Sequence, residues 1–97
     1  MFRHCVMVRF TDEATDEQKE TCRAGVASLP DLIAEIVTFT VGFNAGDRED
    51  NFDLAAVGDF ASKADYDVYA SHPEHVRVVQ ECITPIAAGR AATQYEY

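Results

Sequence analysis

Residues 2–10, FRHCVMVRF, alternate without a break. Phe2, His4, Val6, Val8 and Phe10 fall on one side, and Arg3, Cys5, Met7 and Arg9 on the other. A period of two fixes a β-strand, because at about 100° per residue the same side chains would scatter around a helix axis. The first side is apolar except for His4, so other elements must cover it. The second side carries Cys5 and Met7 between two arginines, too apolar to face water alone.

Three more strands and three helical segments follow, the last two forming one helix broken at HP. TDEATDEQKE turns into a helix with Thr15 or Asp16 as N-cap and acids in its first turn, predicted to run to about Ser28 and stop before Pro30. Its inward stripe is thin: Cys22, Val26 and Leu29, with Gly25 beside them. So few large side chains leave room for a cavity. IVTFTVGF (36–43) and FDLAAVGDF (52–60) read as strands joined by the polar loop NAGDREDN. Ser62, with Asp65 three residues on, starts a short helix ending near Tyr69. A last helix is expected from Pro73 to about Ala88, and AATQYEY closes the chain as a fourth strand.

The order β-α-β-β-α-β predicts an α+β, ferredoxin-like subunit. It has a four-stranded antiparallel sheet with helices on one face. Residues 1–97 are expected to form a single domain. The uncovered face needs a partner, and in a chain this small a second copy is the economical one. A homodimer burying Cys5 and Met7 is therefore expected.

A net charge of −9 with no basic cluster argues against nucleic acid and anionic membrane as partners. Cys5, Cys22 and Cys82 show neither CxxC nor zinc-ligand spacing and read as buried, reduced thiols. With no leader-like or membrane-length apolar run, the expected location is cytoplasmic.

The chemistry concentrates in YASHPEH, residues 69–75. Pro73 disfavours helical geometry at His72 and suits the first position of a helix, so His72 is the cap or hinge. Rotating the next helix puts His75, Val79, Cys82 and Ile86 in one stripe, joined by Val76 and Ile83, with Arg77, Glu81 and Thr84 opposite. The histidines do not share a face, and no metal site is expected. Asp47, Asp50 and Asp53 read as a solvated loop rather than a calcium site. The helix dipole biases His75 towards its neutral form while Glu74 pushes the other way. His4, Tyr69 and His75 are predicted to converge on one interior space, with a neutral His75 able to take a proton. A histidine bonded to a backbone carbonyl beside a tyrosine that only packs would leave the same trace in the sequence.

RHCVMVRF, LPDLIAEIVTFTVGFN and YASHPEH together resemble the stress-responsive dimeric α/β-barrel (Dabb) family over essentially the whole chain. The resemblance implies subunits paired sheet to sheet into a barrel with helices outside. At His4, Tyr69 and His75 the chain is similar to the family's olivetolic acid cyclase-like polyketide cyclases. By that resemblance His75 is the base that removes a carbon-bound proton, Tyr69 holds the carbonyl oxygen or orients the chain, and His4 supports the pocket. Val6, Val8, Val26, Leu54 and Val79 join His4 as the expected substrate-contacting wall. Leu54 stands where those cyclases carry another histidine, and residues 16–28 lack their aromatic side chains, which implies a different substrate.

Three functions fit. One is a cofactor-independent cyclase or lyase acting by proton abstraction next to a carbonyl. The others are a non-catalytic, stress-associated ligand-binding protein and a cofactorless monooxygenase of the related dimeric barrels. All three need an internal small-molecule pocket.

Overall fold

The computed structural model describes residues 1–97. β1 (Phe2–Phe10) is followed by α1 (Asp16–Ala27), α2 (Leu29–Leu32), β2 (Ile36–Phe43), β3 (Leu54–Phe60), α3 (Lys63–Ser71), α4 (Pro73–Val78) and β4 (Ala87–Glu96). The four strands form an antiparallel sheet in the order β2-β3-β1-β4. This is the ferredoxin-like arrangement, with each crossover helix broken in two.

β1 lies inside the sheet and sets the register of both neighbours. His4 stands opposite Gly58 on β3 and Gln94 on β4, and Val8 opposite Leu54 and Arg90. The even side of β1 lies under the helices, where Phe2, His4, Val8 and Phe10 are buried. The core continues through Cys22, Val26 and Leu29, and through Ile33, Phe60, Tyr69, Val78 and Ile86.

Local rules place the helices. Thr15 and Gln18 form a reciprocal cap on α1, the Thr15 hydroxyl accepting from the Gln18 N–H and the Gln18 amide oxygen from the Thr15 N–H. The chain leaves α1 at Ser28 but re-enters a single helical turn, α2, with Pro30 in its first turn, where a missing N–H costs nothing. Gly25 marks the crossing of α1 with the last helical segment: a Cβ there would lie 2.9 Å from Cys82 Sγ.

Two expectations fail at the C-terminal end. The last helix does not reach Ala88. It is α-helical only to Val78, continues as a π-helical turn (Val79–Ile83) and a 3₁₀ turn (Thr84–Ile86), and becomes β4 at Ala87. Pro85 has no N–H with which to continue the ladder, and β1 offers partners as far back as the Phe10–Ala87 pair. Nor is Val76 part of the buried stripe. It is 39% exposed, and Val78 takes the inward position, because the stripe through His75, Val79 and Cys82 leaves residue 76 about 100° to one side. β3 also starts at Leu54 rather than residue 52. The Asp53 carboxylate accepts the Phe10 N–H (2.7 Å) instead, so this aspartate closes the strand end.

The odd side of β1 carries no helix. There Arg3 grips Asp59 with two hydrogen bonds (2.7 and 2.9 Å), and the Thr38 hydroxyl donates to the same carboxylate at 2.8 Å. Arg3 holds the Asp59 carboxyl well below the usual range. Beyond this pair, Cys5 is half-buried and Met7 is 42% exposed. Of the three free thiols only Cys22 is fully buried within the chain; Cys82 is half-buried, which corrects the expectation for it, and Cys5 lies on the open sheet face. No helix is long and apolar enough to cross a membrane.

Candidate active site

The bend between α3 and α4 is built from backbone bonds and one imidazole. The His72 N–H donates to the Tyr69 carbonyl at 3.1 Å, and His72 Nδ1 accepts the Glu74 N–H at 3.1 Å, capping α4. His72 is therefore spent on structure. One turn later, the bend brings the His75 ring to 4.4 Å from the Tyr69 ring. β1 supplies His4 from below, its ring 6.1 Å from Tyr69 and 5.0 Å from Tyr66.

Hydrogen bonding distinguishes the roles of the two inner histidines. His75 Nδ1 lies 3.0 Å from the Ala70 carbonyl. A carbonyl only accepts, so Nδ1 carries hydrogen and the neutral ring keeps its lone pair on Nε2. His4 Nδ1 lies 2.8 Å from Gln94 Nε2. The amide N–H donates, so His4 has its lone pair on Nδ1 and, when neutral, its hydrogen on Nε2. One ring thus has a free acceptor and the other a free donor.

Burial sets the protonation states. It pushes the His75 pKa below the ordinary histidine value, against the opposing bond to Ala70, with His72 adding to the fall. His4 moves the same way, through burial first and then His75. The question of dipole against Glu74 is thus decided by desolvation, in favour of the neutral ring. Burial, followed by Tyr66, raises the Tyr69 phenol, which stays protonated and able to donate. Tyr69 is 3% exposed. Its hydroxyl has no partner in the chain, yet it is not sealed from accessible space.

These groups wall a cavity of about 240 Å³ between the helices and the sheet. His75, Tyr69, His4, Val6, Val8, Val26, Leu54 and Val79 all line it. So do Tyr66 and Arg90, which the sequence analysis did not single out. Tyr66 precedes Tyr69 by three residues and therefore shares its helix face, a spacing visible in the sequence. Arg90 was hidden by the misplaced start of β4. The cavity thus combines one proton acceptor, neutral donors, one guanidinium and a mostly apolar wall, a set that can support enolate chemistry. No group of three or more His, Cys, Asp or Glu side chains converges anywhere in the structure.

Solved structures share this architecture. A dimeric ferredoxin-like protein from Thermobifida fusca is 29% identical, with a TM-score of 0.89 over 99% of this chain and 90% of its own. A dimeric protein with the same fold from Bacteroides fragilis is 26% identical, with a TM-score of 0.84 over 99% of this chain and 95% of its own. A hydroxynitrile lyase from Passiflora edulis is 23% identical, with a TM-score of 0.85 over 97% of this chain and 90% of its own. No curated protein matches the chain by sequence. Residues 2–97 match the stress-responsive A/B barrel domain, Dabb, and the chain belongs to that family.

Proposed function

We propose that the chain is the subunit of a homodimer, sheet against sheet, and that each cavity binds a small carbonyl compound and abstracts a proton next to the carbonyl. The observation that carries the chemistry is the Nδ1 contact of His75 with Ala70, which leaves Nε2 as the free lone pair. Nε2 takes the proton from the substrate carbon, and the electron pair of the broken C–H bond moves into an enolate. The enolate oxygen accepts a hydrogen bond from the Tyr69 hydroxyl, with His4 Nε2–H as the second neutral donor on the wall. The carbanion then closes on a second carbonyl or expels a leaving group, and the imidazolium returns its proton to the new oxygen or to the leaving group. Every step uses side chains alone.

The dimer is supported by the uncovered sheet face, where Met7 is exposed, and by the dimeric Thermobifida fusca and Bacteroides fragilis proteins. The Passiflora edulis protein carries lyase chemistry on this fold.

A panel of β-keto thioesters tests the chemistry. Wild type is expected to turn over at least one of them. His75→Ala should lose roughly a hundredfold to ten-thousandfold of that rate, the usual worth of a general base. Tyr69→Phe should lose less and leave binding largely intact. Equal rates for wild type and His75→Ala would remove His75 from the mechanism. A ligand-binding protein without turnover predicts no reaction in wild type and altered affinity in both variants.

A further inference from the structure

Arg90 is the one charged side chain on the cavity wall. It stands opposite Val8, whereas Gln94, which bonds the His4 ring, stands opposite His4. Four residues along a strand span about 13 Å. The cation and the imidazoles therefore occupy opposite ends of an elongated space. The guanidinium donates to Thr84 Oγ1 at 3.0 Å and has no carboxylate partner. Arg3, Arg23, Lys63 and Arg77 are each paired with an acid, whereas Arg9, Lys19, Arg48 and Arg90 are not. Of the four cations without an acidic partner only Arg90 lines the cavity, where its side chain is exposed.

A guanidinium presents paired N–H groups in the plane that a carboxylate needs, and a few placed polar groups orient ligands in apolar pockets. We infer that Arg90 anchors the carboxylate of an elongated apolar mono-acid, whose carbonyl end reaches Tyr69 and His75. This rests on the cavity being the substrate site proposed above and names the class of substrate it takes. The apolar walls receive the body of the ligand, roughly 10 Å long. Arg90 then sets which end enters first, so that the reactive carbon meets Nε2 of His75. Thr84 holds the guanidinium over the opening.

The test is a binding comparison of octanoate with methyl octanoate, which differ only in the charged head. The probes are titrated into wild type, Arg90→Gln and Arg90→Lys, with the His4 and His75 ring resonances as the sign of cavity occupancy. Wild type is expected to hold the acid roughly tenfold tighter than the ester, the worth of a charge-assisted pair at a half-open site. Arg90→Gln should abolish that preference by weakening the acid alone, and Arg90→Lys should restore part of it. An unchanged preference in Arg90→Gln, or no preference or no binding in wild type, overturns the assignment. Should Arg90→Gln fail to fold, a Lys variant that has not lost part of the preference overturns it instead. Turnover plays no part in this readout. Acid preference with no turnover of the β-keto thioesters or of apolar keto acids of octanoate length would therefore retain the anchor and remove the proton-abstraction proposal.

Discussion

The two sides of β1 are made by alternate residues of one strand, yet they solve different physical problems. On the covered side, His4 is buried with Val8 and Phe10, and its ring is held neutral by desolvation. On the open side, Arg3 is ionised against Asp59, and Thr38 and Tyr97 bond into the same pair. Neutral polar groups suit a cavity in which, under the proposed chemistry, charge develops only during reaction. Ionic groups suit a surface that, in the proposed dimer, must fix a register, since charged pairs orient partners more than they strengthen them. Between the charges, Met7 and its cross-strand neighbours Ala55 and Ala91 form a flat apolar strip.

The sharpest way to break this contrast is to put a charge on the strip. Met7→Glu is expected to leave the chain monomeric, because an unpaired carboxylate buried in each copy costs several kcal/mol and the pair counts twice. The folded monomer should survive, since Met7 makes no core contact within one chain. Sedimentation velocity at micromolar concentration reads this directly. A variant that sediments as a dimer would place the interface elsewhere.

Phe60→Ala strikes the opposite side. Phe60 is 0% exposed and packs on Tyr66 and Tyr69, with ring centroids 5.5 and 5.1 Å away. Truncating it should cost about 3–5 kcal/mol of stability in urea unfolding. It should also loosen Tyr69 against His75. A loss below about 1 kcal/mol would mean that the surrounding core collapses freely to fill the space.

How well each side could be foreseen follows from the same physics. β1, β2 and the HP bend were legible because alternation, β-branching and the proline constraint act locally and agree with the tertiary outcome. The inward position of His75 followed from helical phase. The switch at Ala87 was not legible. AAGRAA favours helix on propensity, and only pairing with Phe10 and Arg9 in the folded sheet overrides it. That one misplacement hid Arg90. Val78 was missed because a stripe drawn through His75 leaves its centre undetermined until the sheet is in place. The tautomers of His4 and His75 depend on Gln94 and Ala70, partners that no sequence spacing announces.

The smallest expected effect sharpens the contrast through pH. In the folded chain the pKa values of His4 and His75 both lie below the histidine value of 6.5. As pH falls through about 6.5 the unfolded chain takes up protons that the folded chain refuses, so stability falls with pH until the folded groups also titrate. The groups facing them are the neutral phenols of Tyr66 and Tyr69, with Arg90 the only charge on the shared wall, so no carboxylate rescues the imidazolium. Asp59 acts in a separate window. Its depressed value contributes stability above about pH 3.8 that is lost only below it. Between pH 7 and 5 the decline belongs to the covered side and should be on the order of 1 kcal/mol. Urea midpoints across that range measure it, and His4→Gln with His75→Gln should flatten the curve. A decline of equal slope in the double variant would move the pH dependence off the cavity.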